Sequence, residues 1–396
     1  MDTAKVTSPP IPAVSPVSDQ IAMSQRTRIA VVSDESELQQ LGADWDRLIS
    51  ESGAFSPMLS YAWVGAFLAR RLRPGQRWAC LCAYRDETLC GVLPLVLGPR
   101  KQMGVKYTSG AFPFDDSTPH ADIVVRDDED PAVIRELINA AFETFPDLQT
   151  LRFNGISDYS AVHRVLPGDY LCELRDSGEG SFLPVPEDFD AYRSTLSKNF
   201  RSNLNKARNH ARRAGEVSFN VDSTSPGRAS FLDEFMDIEA ANWKGEKGSA
   251  IKASTDLSKW YRTLVPALEE SGLLEWQSMR IDDETIAANL CIRTPRKVFL
   301  WKLGYKDTFS KCSPGSLLLQ HVIEAASKDG TLESVELLTS YAWYDNWNMQ
   351  AHRFQSLTFF RNGLKGRLLY VASRLQTWLR SLRRSDQIRA GRHDGS

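Results

Sequence analysis

Residues 274–297 read LEWQSMRIDDETIAANLCIRTPRK, and residues 77–101 read RWACLCAYRDETLCGVLPLVLGPRK. In each, an apolar run rich in aromatic or β-branched residues meets an Asp-Glu-Thr triplet, a second apolar run and a Pro-Arg-Lys triplet. Asp and Glu open turns, and the flanking residues favour pleated strands, so each stretch predicts an antiparallel meander. In the second copy the strands are Leu274 to Ile281 and Ile286 to Ile292, turning at Asp283-Glu284-Thr285 and at Pro295-Arg296-Lys297. In the first they are Arg77 to Tyr84 and Leu89 to Leu97, turning at Asp86-Glu87-Thr88 and at Pro99-Arg100-Lys101.

The elements around the two meanders repeat as well. An amphipathic helix precedes each, from Ser36 to Ile49 and from Ala229 to Trp243, with Leu38, Leu41, Trp45 and Leu48 and then Phe231, Phe235, Ile238 and Trp243 on the inner faces. Another helix and a buried strand follow each: Ala132 to Phe142 with Leu148 to Phe153, and Gly315 to Ser327 with Ser334 to Leu338. This order resembles the acetyltransferase fold. The expectation is an α/β chain of two tandem acetyltransferase-like (GNAT-like) domains, each a mixed, mainly antiparallel sheet flanked by helices. Their expected limits are 28–180 and 181–361, after a Pro-rich leader over 1–27 and before a basic tail over 362–396.

A chain of 396 residues fits two domains, and 42% hydrophobic with 25% charged residues is ordinary globular composition. The net charge of −2 names no partner. The six Cys form no Cys-x-x-Cys pair, which excludes a zinc ribbon or thioredoxin-type motif and suits a reduced interior; Cys80 and Cys82 read as small core fillers. The leader lacks an apolar stretch after a basic start, and no run approaches the ~18 apolar residues of a membrane span, so the expected location is cytoplasmic. No His-Glu-x-x-His, Gly-x-Ser-x-Gly or P-loop motif occurs, and the six His read as structural or exposed.

The two copies differ where chemistry is expected. The second has Phe299 to Leu303 as a strand, a loop to Cys312, and then Ser313-Pro314-Gly315-Ser316-Leu317. Ser313 is a favoured N-cap, Pro314 suits the first helical position, and Gly315 permits close approach. Free N–H groups of Gly315, Ser316 and Leu317 at the positive end of the helix dipole, with Lys311 at the rim, would suit a phosphate; an ordinary capped helix reads the same way. In the first copy the helix follows Asp127-Asp128-Glu129-Asp130, which would repel a phosphate. Only the second copy is expected to bind coenzyme A.

Two basic segments stand out. Lys198 to Arg213 holds six Lys or Arg, no acid, and apolar residues at helical spacing, which predicts a helix ending near Gly215. It reads as a solvated face, a site for an anionic substrate or coenzyme, or a nucleic-acid surface; the last lacks any stacking motif, and no nucleic acid is expected. The tail carries Lys365, Arg367, Arg374, Arg380, Arg383, Arg384, Arg389 and Arg392 between Leu364, Leu368, Leu369, Val371, Leu375, Trp378 and Leu382. It reads as a packed or solvated helix, or as one making weak contact with an anionic membrane surface.

Several words together carry a family resemblance: Asn199-Phe200-Arg201-Ser202-Asn203-Leu204 through Gly215, Glu239 to Trp243-Lys244-Gly245, Gly304-Tyr305-Lys306-Asp307, Ser313-Pro314-Gly315, and Tyr344 to Trp347. From about residue 28 to 360 the chain resembles CelD/BcsL-type acetyltransferases, a GNAT subgroup related to the FemAB peptidyltransferases. The resemblance implies acyl transfer from a thioester, acetyl-CoA or another acyl-CoA, to an amine or hydroxyl, with no metal, in a group linked to exopolysaccharide or cellulose production. Ser340 and Tyr344-Asp345 depart from the family's Gly and Tyr-Lys near the final strand.

Direct transfer needs a held donor, a base and donors to an oxyanion. The backbone of Trp301, Leu303 and Gly304 is expected to polarise the thioester, and Lys311, Ser313, Gly315, Ser316 and Leu317 to hold the pyrophosphate. Glu239 or Asp307 would accept the proton, with Glu336 less favoured, and Tyr305 or Tyr344 would return one to the thiolate. Arg201, Trp243, Lys244, Trp343, Asp345 and Trp347 would meet a small-molecule or saccharide acceptor. Against these roles stand a surface salt bridge for Glu239, a turn for Asp307 and core packing for each Trp. Two further readings compete: a non-catalytic binding protein, and a FemAB-like aminoacyl transferase using charged tRNA.

Overall fold

The computed structural model describes residues 27–52, 56–166, 170–241, 248 and 250–393, the last stretch from 380 as backbone only. All but the last residue of the expected leader lies outside them, as do Trp243 and Lys244.

The first meander comprises β2 (Arg77–Arg85), β3 (Thr88–Gln102) and β4 (Val105–Ala111), and β1 (Arg28–Val32) pairs with β2. Asp86 and Glu87 both take positive φ, 47° and 60°, the signature of a two-residue turn matched to strand twist. The Pro99-Arg100-Lys101 triplet, expected as a turn, lies within β3; the chain reverses at Met103 and Gly104, whose positive φ values are 45° and 87°. A short β5 (Val124–Val125), helix α4 (Pro131–Thr144) and strand β6 (Leu148–Ser157) follow, the last parallel to β4. The single helix expected over Ser36 to Ile49 is two, α1 (Glu35–Gln40) and α2 (Gly42–Ser50), and the Tyr61 ring lies 3.1 Å from where a Gly42 side chain would begin. Tyr61 opens α3 (Tyr61–Arg70).

The second half repeats this plan. After α5 (Phe189–Thr195) and the basic α6 (Lys198–Ala214) come β8 (Val217–Asp222), α7 (Leu232–Ala240), α8 (Thr255–Glu270) and the meander β9 (Leu274–Ile281), β10 (Glu284–Arg293) and β11 (Lys297–Tyr305). A 3-10 segment Asp307–Cys312 leads into α9 (Pro314–Asp329), and β12 (Ser334–Leu337) lies parallel to β11. The expected helix over Ala229 to Trp243 starts as a 3-10 turn, Arg228–Phe231, before α7.

Each half then gives up its last strand. β7 (Leu171–Pro184) closes the first half in sequence, yet pairs with β12 of the second; β13 (Gln350–Phe360) closes the second, yet pairs with β6 of the first. The two exchanged strands pair with each other from Gln350↔Phe182 to Phe360↔Leu171. One sheet results, in the order β1-β2-β3-β4-β6-β13-β7-β12-β11-β10-β9-β8. The boundary expected between residues 180 and 181 falls inside β7. Helix α10 (Leu364–His393) closes the chain.

Trp63 of α3, Trp260 and Tyr261 of α8 and Trp301 of β11 pack as one buried block between the halves, with Trp301 centred 4.6 Å from Trp63 and stacked on Tyr261 at 4.8 Å. Such aromatic pairs add about 0.5–1.5 kcal/mol beyond area burial, which favours a fixed relation between the halves. Cys80 and Cys82 are core residues, and all six Cys are free.

Candidate active site

The ladder between β10 and β11 carries one extra residue. Leu290 faces Lys302 and Cys291 faces Leu300, so Trp301 bulges from the register. At the same point β12 stops accompanying β11, the last pair being Leu300↔Leu337. A bulge bends its strand and releases backbone groups from the ladder, so the parallel pair opens where Trp301 stands. The β3–β4 ladder of the first half has no such bulge: it runs in unbroken register from Val96↔Ala111 to Gln102↔Val105, the irregularity there lies instead at Gln149 of β6, and Phe112 N–H continues to Arg152 O at 3.1 Å.

Beside the opening, α9 begins as the sequence predicts, with Pro314 at its first turn, but its cap differs. Ser313 is left-handed (φ 43°, ψ 55°) and its side chain makes no capping hydrogen bond. Its carbonyl instead accepts from Ser316 N–H at 3.0 Å and Leu317 N–H at 3.1 Å, so two of the three amides expected to be free are engaged. Pro314 has none to offer, which leaves Gly315 N–H as the open donor of the turn among the described hydrogen bonds. Gly315 is there for contact: a Cβ would sit 3.0 Å from Leu303 Cδ2 of β11. Lys311 and Ser313 are exposed at the rim, and α6 packs alongside through Ala207 and Ala211, in one cluster with Cys312 and Leu317. Its cations thus stand on the element flanking the turn; Arg201 of its first turns donates to Ser194 O at 3.0 Å.

Gly304 and Glu239 are pressed together. A Cβ on Gly304 would lie 2.9 Å from both Glu239 Cα and N, so β11 and α7 touch backbone to backbone beside the bulge. Glu239 is not at the surface: it is 1% exposed, and its Oε2 accepts from Ile251 N–H at 2.9 Å. Asp307 stands exposed at the start of the 3-10 segment, its N–H donating to Ala241 O at 3.3 Å. Tyr305 is partly buried, and burial and then the Asp307 charge raise its pKa; burial raises that of Tyr344 further. Both phenols therefore keep their protons at neutral pH.

Past β12 the chain displays Tyr341, Trp343 and Asp345 on the surface, with the Trp343 and Tyr344 rings 4.1 Å apart. Trp347 is different: fully buried, it meets Phe200 of α6 edge-on at 4.9 Å, so its ring is core and not a cleft wall. The Trp301 ring is likewise core, being part of the block between the halves.

Sequence reasoning missed a cavity of about 1320 Å³ between the halves. Among its lining residues are His120, Lys297, Phe299, Glu336, His352 and Phe354. His352 Nε2 lies 3.0 Å from Glu336 Oε2, Ser334 Oγ donates to Oε1 at 2.6 Å, and Lys297 Nζ is 3.7 Å from Oε1. Burial pushes the Glu336 pKa up, but the hydrogen bonds from His352 and Ser334 and the Lys297 charge together hold it below the usual range. Phe182 stacks on His352 at 3.9 Å. His120 is half-buried, and desolvation pushes its pKa down to about 4; its Nδ1 is 3.3 Å from Ser56 Oγ and its Nε2 has no partner. No spacing motif could reveal this group, because the strand exchange assembles it. Among the described residues no group of three or more His, Cys, Asp and Glu is placed to hold a metal, and no helix is long and apolar enough to cross a membrane.

The repeated sheet, the bulge and the helix turn define an acyltransferase-type fold in tandem form. In the second half the class is specific: residues 198–346 match the model of the acetyltransferase (GNAT) domain. Among solved structures, the chain is similar to FemX at 10% identity, with TM-score 0.55, covering 83% of this chain and 98% of that one. It is similar to the C-terminal DUF2156 domain of a putative lysylphosphatidylglycerol synthetase from Agrobacterium fabrum at 11% identity, TM-score 0.51, covering 86% and 96%. A conserved protein of unknown function from Bacteroides thetaiotaomicron aligns at 11% identity, TM-score 0.50, covering 84% and 100%. At such identities the likeness is one of fold. No curated protein sequence matches the chain.

Proposed function

We propose that this protein transfers an acyl group, acetyl in the first instance, from coenzyme A to an amine or hydroxyl acceptor, with the thioester held in the second half. The observation that carries this reading is the bulge at Trp301 at the end of the β11–β12 ladder. Backbone donors fixed there are preorganised for the oxyanion of a tetrahedral intermediate, and removing one such donor typically costs about 10²–10³ in kcat. Gly315 N–H, Lys311 and the cations of α6 suit the pyrophosphate. Glu239, packed against Gly304, is the proposed proton acceptor, with Asp307 as the alternative; Tyr305 and Tyr344 would protonate the thiolate. Ser313, Ser316 and Leu317 shape the turn, while Arg201, Trp343 and Asp345 are the proposed acceptor contacts. The resemblance to CelD/BcsL-type enzymes, a group linked to exopolysaccharide production, supports acyl transfer and leaves the acceptor open between a small molecule and a saccharide.

A second reading of proton transfer has its own observation. The Glu336–His352 pair lines a cavity large enough for an acceptor, and an imidazole whose Nε2–H is held by a carboxylate presents Nδ1 as a base. Calorimetry with acetyl-CoA tests the shared premise: saturable one-to-one binding is expected, and absence of binding to the intact chain would reject it. Binding without thiol release across amines, sugars and alcohols would favour the non-catalytic reading, and binding of charged tRNA in place of acetyl-CoA the aminoacyl one.

A further inference from the structure

Helix α10 lies on the sheet the wrong way round. The side it turns to the protein is polar: Ser373 O and Oγ accept from Arg175 at 3.1 and 2.8 Å, Thr377 Oγ1 donates to Glu173 at 3.1 Å, and Gln376 accepts from Gln102 at 3.3 Å. Leu369 and the Tyr370 ring, 5.4 Å from Phe360, are its apolar anchors on that side. Leu364, Leu368, Val371 and Leu375 recur every four or three residues, hence on one face, and are 78%, 60%, 61% and 41% exposed. Trp378 and Leu379 continue the stripe. A surface helix ordinarily buries such a stripe against its own core.

We propose that this face docks on an anionic lipid surface. The charges choose the occupant. Lys365, Arg367 and Arg374 flank the stripe, and residues 361–379 contain no acid. The four-three spacing also fits a coiled-coil seam, but two copies would set these cations against each other, and like charges at flanking positions oppose pairing. A negatively charged, apolar-cored surface satisfies both features. The hydrogen bond from Gln102 to Gln376 brings the tip of the β3–β4 hairpin beside the helix, and this tip repeats the chemistry: Met103 and Val105 are 60% and 42% exposed among Arg100, Lys101 and Lys106. Two elements distant in sequence thus present exposed apolar side chains with cations and without acids.

The test is co-sedimentation of the full chain with vesicles of phosphatidylcholine containing a third phosphatidylglycerol. Binding to these and not to pure phosphatidylcholine is expected, weakening as salt rises. Replacing Lys365, Arg367 and Arg374 together by Gln should lower the affinity roughly a hundredfold, since each cation near such a surface contributes about 1 kcal/mol. Leu368→Ser, Val371→Ser and Leu375→Ser together should abolish binding while leaving far-ultraviolet circular dichroism unchanged, because these side chains are already in solvent. Failure of the wild-type chain to sediment with anionic vesicles would overturn the proposal. So would sedimentation-equilibrium evidence of a dimer that the serine substitutions dissolve, which would assign the stripe to a second copy.

Discussion

His352 and Glu336 meet at 3.0 Å although their strands are not neighbours: β7 lies between β13 and β12, and Phe182 of β7 stacks on the imidazole. The contact therefore exists only because the halves exchange strands. It gives the clearest division between the two routes of proton transfer. If the cavity pair is the base, His352→Gln and Glu336→Gln should each lower kcat about 10²–10⁴-fold, read as thiol release from acetyl-CoA, with the affinity for acetyl-CoA unchanged. Unchanged kcat in both variants would return the role to the cradle beside Trp301.

Two desolvated groups of this cavity oppose each other in pH dependence. His120 has its pKa lowered by burial to about 4, so the folded state binds fewer protons than the unfolded; stability is full above about 6.5 and falls as pH drops toward 4. Asp122 is pushed up by burial to about 6 despite hydrogen bonds from Ala161, Val162 and Ile123, so its contribution is full below about 4 and lost as pH rises to 6. Urea titrations across this window should show His120→Gln losing less stability on acidification than the wild type, by up to about 3 kcal/mol, and Asp122→Asn losing more. Parallel slopes in all three proteins would contradict the assignment.

The meanders and their order were legible because strand and turn chemistry is local: Asp-Glu-Thr lies at both hairpins, although the second turns one residue early at Asp282-Asp283 with Glu284 and Thr285 already in β10, and Pro314 marks the start of α9. The asymmetry between the halves was legible too, as an acidic run before α4 and a Ser-Pro-Gly before α9. The strand exchange was not. β7 and β13 read as ordinary final strands of their own halves, and nothing local in Leu171–Pro184 or Gln350–Phe360 says whether each will pair with β6 or with β12. For the same reason His120, His352 and Glu336, spread over more than two hundred residues, gave no pattern. The bulge at Trp301 was equally hidden, since it is a property of register and not of composition.

Glu239 separates structure from chemistry. Its Oε2 is the acceptor for Ile251 N–H in a sealed site, so Glu239→Ala leaves that amide unsatisfied and should cost about 1–3 kcal/mol in denaturant unfolding. Glu239→Gln retains an acceptor oxygen and should stay folded. A folded Glu239→Gln protein with thiol release reduced a hundredfold or more would support proton transfer by Glu239; full activity would leave it the anchor of the Ile251 turn alone.

Gly304→Ala tests how tightly the cradle is built. The new methyl would fall 2.9 Å from the α7 backbone at Glu239, and the obstruction is main chain, which cannot rotate away. Overpacking of this kind costs roughly 1–3 kcal/mol, and the helix must shift from the strand that carries the bulge. Acetyl-CoA affinity should fall together with the thermal midpoint. A variant as stable as the wild type, binding as tightly, would show that α7 does not hold β11 in place.

The exchanged strands also predict how the chain unfolds. β7 and β13 each connect two halves that would otherwise unfold apart, and their mutual ladder from Gln350↔Phe182 to Phe360↔Leu171 is the seam of the sheet. Removing either half deprives the other of an edge partner: β12 would lose β7, and β6 would lose β13. The aromatic block of Trp63, Trp260, Tyr261 and Trp301 would be split as well. Calorimetric unfolding should therefore show one transition whose van't Hoff and calorimetric enthalpies agree, despite a length at which two transitions are ordinary. Residues 28–180 expressed alone should lack a cooperative transition, since β6 would present an unpaired edge to solvent. Two resolved transitions in the intact chain, or a cooperatively folded 28–180 fragment, would show that the halves are held by their own cores and that the exchange adds little.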